Sequence, residues 1–226
     1  MKSRIEGENL PVVICEVENG EVLFSERGGM GWMTSNIEMS TNMEGGLFGG
    51  IARSFSGESV FLNSFTCKGE KGEIAFPSSL PGQIMEFDLK DGESIIAQKG
   101  AFLCGERSVK LEVSFKKKLG AGLFGGEGFI MQKISGPGKV YLEIDGSVSK
   151  YELKPGEELK VDTGYVAAME SSVQLDIEMV KGLKNIVFGG EGLFLTTVKG
   201  PGTVWLQTMP ESNLASRILR YMPTKG

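Results

Sequence analysis

The chain has 226 residues, a formal net charge of −5 and a pI near 5.1. An acidic surface repels phosphate backbones and anionic headgroups, which argues against non-specific nucleic-acid binding and membrane adsorption. The composition is globular, with 40% apolar and 23% charged residues. The absence of histidine removes Ser-His-Asp and Cys-His nucleophile systems and every histidine-based metal site.

Met1 to Leu10 carries Glu6 and Glu8 and no apolar core, so it reads as neither a secretory signal nor an Arg-rich transit peptide. No apolar run approaches the roughly 20 residues a membrane helix needs. Cys15, Cys67 and Cys104 are odd in number, far apart and set in apolar stretches. They read as free, buried thiols of a reducing compartment, and a cytoplasmic location is expected. Trp32 with Met30 and Met33 forms an apolar cluster beside glycines, expected to pack in the core, with a partner surface as the alternative. Val109, Leu111 and Val113 alternate with polar residues, as do Val140, Leu142 and Ile144, and Val173, Leu175 and Ile177. Period-two alternation predicts strands with one face in a core. Lys116-Lys117-Lys118 reads as a solvated hairpin tip. Asp162, in Val161-Asp162-Thr163-Gly164, reads as a turn-forming residue bonded to its own backbone. Pro210-Glu211-Ser212-Asn213 starts a short helix over 211–222, in which Leu214, Ile218 and Tyr221 fall at helical spacing.

Self-similarity organises these elements. Leu123-Phe124-Gly125-Gly126-Glu127-Gly128 matches Val187-Phe188-Gly189-Gly190-Glu191-Gly192 at an offset of 64 residues. The same offset aligns Gly136-Pro137-Gly138 with Gly200-Pro201-Gly202, and Lys90-Asp91-Gly92-Glu93 with Lys154-Pro155-Gly156-Glu157. A diverged first copy carries Gly57-Glu58-Ser59 and a longer turn at Lys68 to Gly72. The expected fold is all-β: one domain of three internal repeats, about 1–76, 77–142 and 143–208. They form a pseudo-threefold β-sandwich or β-helix-like body, followed by the C-terminal helix. A 64-residue unit is marginal alone, so the three are expected to share a core.

Gly45-Gly46-Leu47-Phe48-Gly49-Gly50, Ser56-Gly57-Glu58-Ser59, Phe61-Leu62-Asn63, Val161-Asp162-Thr163-Gly164 and Gly200-Pro201-Gly202 with Val204-Trp205-Leu206-Gln207 resemble, in order, the altered inheritance of mitochondria protein 24 family, over Ile5 to Gln207. The resemblance implies a β-fold similar to the tryptophan RNA-binding attenuation protein, with pseudo-threefold repeats. It implies no catalytic residues, and RNA or tryptophan binding would rest on shared architecture alone.

Two sets of residues are candidate surfaces. Tyr141 and Trp205 occupy equivalent strand positions, opposite the Val/Leu face, with Ala75 in the corresponding place of the first copy. They fill a second packing layer, or form a patch for subunits, partners or a ligand. Glu58, Glu127 and Glu191 follow glycines in the repeat loops. They serve turn geometry, or form a carboxylate ring for a hard divalent cation. A phosphate cradle is a weak reading there, because no Gly-Lys-Ser/Thr follows, no helix N-terminus is available and a loop glutamate would repel phosphate. The reading is a non-catalytic binding or scaffold protein acting through its β-surfaces. Self-association is expected and a protein partner is an option; no cofactor, nucleic acid or membrane insertion is implied. The alternative is a small-ligand or cation-binding module at the Gly-Gly-Glu loops.

Overall fold

The computed structural model describes residues 1–26, 28–41, 62–117, 128–179, 194–219 and 221. The chain opens with β1 (Lys2–Glu6), β2 (Val12–Glu18), β3 (Val22–Glu26), β4 (Trp32–Met33), β5 (Ile37–Thr41), β6 (Leu62–Cys67) and β7 (Lys71–Pro77). It continues with β8 (Gly82–Leu89), β9 (Ser94–Gln98), β10 (Phe102–Glu106), β11 (Lys110–Lys117), β12 (Phe129–Ser135) and β13 (Gly138–Asp145). Then come β14 (Val148–Leu153), β15 (Glu158–Asp162), β16 (Val166–Glu170), β17 (Gln174–Met179), β18 (Phe194–Lys199), β19 (Gly202–Gln207) and the helix α1 (Glu211–Leu219).

These strands pair antiparallel into four sheets, ordered β1-β2-β7-β4, β5-β6-β3-β10-β13-β8, β11-β12-β9-β16-β19-β14 and β15-β18-β17. The two six-stranded sheets each join strands from consecutive stretches of chain. The seams are β3 with β10 and β9 with β16.

Three apolar cores lie between successive sheets. The first packs Val13, Cys15, Ile74 and Phe76 of the first sheet against Leu23, Phe65, Cys104 and Tyr141 of the second. The second packs Phe24, Phe102, Val140 and Leu142 against Ile95, Leu111 and Ile134 of the third sheet. The third packs Ile96, Phe129, Met131 and Met169 against Val161, Ile177 and Val198 of the fourth. Both middle sheets are therefore buried on both faces. Their seam strands read accordingly: Val22-Leu23-Phe24 and Ile95-Ile96-Ala97 are continuous apolar runs, as doubly covered strands require.

Three turns that carry the chain from one sheet to the next close on one device. Glu18-Asn19-Gly20-Glu21, Lys90-Asp91-Gly92-Glu93 and Lys154-Pro155-Gly156-Glu157 link β2 to β3, β8 to β9 and β14 to β15. In each, the fourth residue's N–H donates to the first residue's carbonyl at 3.0 Å. The glutamate Oε2 in turn accepts the first residue's N–H, at 2.8, 2.7 and 2.8 Å respectively. Gly20, Gly92 and Gly156 sit at φ 84°, 82° and 83°, the conformation the third position of a type II turn demands. The Gly-Pro-Gly glycines have another reason. A Cβ on Gly136 would lie 2.7 Å from the Leu89 carbonyl oxygen, and one on Gly200 equally close to that of Leu153.

The structure departs from expectation in three places. A closed threefold body would need β15 to pair with β4, and no such pairing exists among the described residues. The sheets run as an open series instead; β4 is two residues long and β15 carries Lys160 where β3 and β9 carry Phe24 and Ile96. Trp32 is not a core residue: it is 54% exposed, and only Met30 and Met33 lean on the first core. The helix starts at Glu211 as expected, but Leu214 is half-buried and Ile218 and Tyr221 are exposed. Its anchor is its first turn, where Asn213 Nδ2 donates to Tyr165 Oη at 3.0 Å. The repeat-loop glutamates Glu58, Glu127 and Glu191 lie outside the described residues.

All three cysteines are free and buried. Burial and the neighbouring Cys15 thiol push the Cys104 thiol well above its ordinary pKa, so it is a poor nucleophile. A thiol reagent is expected to leave the native protein unlabelled and to titrate three thiols after denaturation. Phe24 stacks on Phe102 with centroids 5.2 Å apart, at the centre of the second core. Phe24→Ala should lower stability by about 3–5 kcal/mol, read from the urea midpoint at unchanged m-value.

Candidate functional site

Tyr141 and Trp205 do lie opposite the Val/Leu face of their strands, but that face is covered. Tyr141 is fully buried in the first core beside Cys104, and burial raises its phenol pKa. Trp205 is partly buried against the second core and meets Phe87 edge-on, centroids 5.4 Å apart. Ala75 is fully buried as well. Tyr141 and Trp205 each fill a layer between sheets, whereas Ala75 lies across from Trp32 in the first sheet and belongs to none of the three cores. Asp162 is bonded to its own backbone: its Oδ1 accepts the Gly164 N–H at 3.3 Å. Lys117, at the end of β11, donates through Nζ to the Ile177 carbonyl.

An open cleft of about 480 Å³ lies between the β2–β3 turn and the end of β10, lined by Val17, Glu21, Glu106, Arg107 and Ser108 among others. Both of its carboxylates are engaged. Glu21 Oε2 closes the β2–β3 turn, and Glu106 Oε2 accepts the Lys139 N–H at 2.9 Å. The Met1 ammonium lies 3.4 Å from Glu21 and 3.9 Å from Glu106. Glu170 repeats the Glu106 contact 64 residues later, accepting the Thr203 N–H at 3.1 Å. These glutamates complete backbone hydrogen bonding at strand ends, and their negative charge strengthens those bonds. The described residues contain no grouping of three metal-capable side chains.

A second acidic group sits where β13 ends under α1. Glu143 accepts the Ser79 N–H at 2.6 Å and both the Ser78 and Ser79 hydroxyls. Burial nevertheless raises its pKa. Asp145 is pushed up to about 6 by burial first, then by the charges of Glu143 and Glu211, although the Glu211 N–H donates to it. It thus accepts from the first residue of α1, where a carboxylate suits the helix dipole. A perturbed acid of this kind marks a candidate site. Its cause here is structural, because the carboxyl joins the helix to the sheet.

Sequence reasoning overlooked Glu143 and Asp145, although their alternation with Leu142 and Ile144 placed both on one face of β13. It also overlooked the Glu21 turn. There the signal was present: Gly20-Glu21 repeats Gly92-Glu93 and Gly156-Glu157.

Antiparallel sheets in series, with glutamate-closed turns and apolar inter-sheet layers, define an all-β protein of stacked sheets. The chain belongs to the mitochondrial biogenesis AIM24 family, whose model matches residues 3–209. It is 30% identical over 225 residues to an uncharacterized protein of Streptococcus pyogenes serotype M6, M6_Spy0233, covering 96% of this chain and 88% of that one. It is similar in structure to protein SPYM3_0169 from Streptococcus pyogenes, with a TM-score of 0.78 and 26% identity over 98% of this chain and 99% of the other.

A carboxyl whose folded-state pKa lies above its unfolded value binds its proton more tightly in the fold. Asp145 therefore withdraws stability above about pH 6 and returns it as the pH falls toward 4. Asp145→Asn, which keeps an acceptor for the Glu211 N–H, should raise Tm at pH 7.5 by a few degrees and change it little at pH 4.5. An equal shift at both pH values would show that charge is not the cause.

Proposed function

We propose that this chain is a non-catalytic scaffold of three equivalent six-stranded units, similar in plan to the tryptophan RNA-binding attenuation protein. It self-associates in the cytoplasm and acts through its sheet surfaces. The units are β2–β7, β8–β13 and β14–β19, spanning 12–77, 82–145 and 148–207. The observation that carries this reading is the recurrence of the same parts in the same order. The glutamate-closed turns recur at Gly20, Gly92 and Gly156, and the seam strands recur as β3 and β9, then β10 and β16. In every unit the first, third and sixth strands join one sheet while the second, fourth and fifth join the next. A unit of this design leaves half its strands for a neighbour, which suits assembly.

The conspicuous carboxylates favour a structural role. Glu21, Glu93, Glu157, Glu106, Glu170 and Glu143 each accept a backbone N–H. The buried free thiols suit a reducing compartment. No helix among the described residues is long and apolar enough to cross a membrane.

Light scattering on the purified chain is expected to give a discrete multiple of the 24.4 kDa protomer mass. Protein purified from its native host should bring down a stoichiometric protein partner. The non-catalytic half of the reading sinks if the chain turns over a small-molecule substrate and Glu106→Gln or Glu143→Gln abolishes that turnover without unfolding it.

A further inference from the structure

We infer that copies of this chain associate head to tail, the free edge of β15 in one copy pairing antiparallel with β4 of the next. The inference rests on the scaffold reading above and names its joint. Two internal seams set the pattern. β3 meets β10 through Leu23↔Glu106, Phe24↔Gly105 and Ser25↔Cys104. β9 meets β16 through Ile95↔Glu170, Ile96↔Met169 and Ala97↔Ala168. The same steps along the chain lead from Leu23, Phe24 and Ser25 to Leu159, Lys160 and Val161 in β15. Stepping back from Cys104, Gly105 and Glu106 leads to Trp32, Met33 and Thr34 at β4. Among the described residues both strands stand at the ends of their sheets, each lacking the neighbour that its equivalents have.

What the edges lack is complementary. Cys104 enters the first core and Ala168 the second, in each case the core of the preceding unit. Trp32 holds the equivalent place in β4, belongs to no core and is 54% exposed. In the other direction, Phe24 enters the second core and Ile96 the third. Lys160 holds their place and is exposed. A joint in the register of the internal seams sets Trp32 opposite Val161, beside Leu159 of the third core. It lays the aliphatic stem of Lys160 over Met33 at the first core of the next copy, with the ammonium at the rim. Within one copy β15 and β4 do not pair among the described residues and Trp32 stays exposed, so the series does not meet its own start. The occupant is therefore a second copy. A heterologous joint of this kind closes into a ring or continues as a filament. Lysine in place of phenylalanine or isoleucine makes the joint weaker than the internal seams, so it dissociates on dilution.

The test is the double variant Trp32→Cys with Val161→Cys in the full chain, oxidised with copper–phenanthroline and read by non-reducing electrophoresis and intact mass. Directly opposed residues of an antiparallel pair hold their Cα atoms about 4.5–5.5 Å apart, within the span a disulfide bridges, and the native thiols are buried. Expected are a ladder of covalent multimers that collapses on reduction, and a cross-linked dimer when the two single variants are mixed. A monomer carrying an internal disulfide would mean closure within one chain and would overturn the inference, as would the absence of any cross-link in a folded variant. Trp32→Glu in the otherwise unaltered chain should shift the solution mass toward the protomer at matched concentration; an unchanged mass counts against the joint. An unaltered chain that is oligomeric while the variants fail to cross-link retains the scaffold reading and loses only the joint. An unaltered chain that is monomeric at high concentration loses both.

Discussion

Two short seams hold this molecule together. β3 with β10 and β9 with β16 pair through only three residue positions each, yet they join strands from separate stretches of chain into continuous sheets. Each seam strand sends side chains into two cores: Leu23 into the first and Phe24 into the second, Ile95 into the second and Ile96 into the third. Losing a seam would expose apolar area on both faces at once and leave two rows of backbone groups unpaired. Short ladders suffice because packing from both sides locks the register, since a one-residue slip would exchange the contents of adjacent cores.

Because the interior is apolar apart from a few neutral groups such as Ser25, Gln132 and Thr196, the carboxylates that hold the backbone sit at strand ends. The glutamate of each Gly-Glu turn meets a backbone N–H that the turn leaves free, and Glu106 and Glu170 do the same where β13 and β19 begin. A carboxylate accepts such a bond more strongly than a neutral group, at little desolvation cost near the rim. Asp145 shows the opposite limit. It holds the first turn of α1 from a partly buried position among like charges, and its raised pKa measures what that placement costs.

How much of this was legible follows from which forces are local. Alternation at Val140, Leu142 and Ile144 and the start of α1 at Glu211 reflect strand pleat and helix capping, which a few neighbouring residues determine. The depth of Tyr141 is not local. Its strand alternates like one with a wet face, and only the presence of another sheet on that side makes the tyrosine a core residue. Trp32 misleads for the converse reason: its composition suits a core, but among the described residues β4 stands at the end of its sheet and leaves the indole exposed. The Glu21 turn was readable and hidden only by the divergence of the surrounding segment, whereas the contact between Asp145 and α1 joins positions separated by the six strands β14 to β19.

The ends of the series differ in chemistry from its middle. Seam residues of the inner sheets face apolar layers on both sides, while the outer sheets carry exposed ion pairs: Arg4 with Glu6 and Glu73 at one end, Lys199 with Glu158 at the other. Exposed pairs contribute little to stability. Their effect is on solubility, and on which edges can pair: charged and shortened edge strands discourage indiscriminate association. β4 is short and β15 carries Lys160, so any strand added at either end must match a narrow register and accommodate a charged side chain. The series is thus bounded by weak, selective ends, while its interior is held by seams buried on both faces.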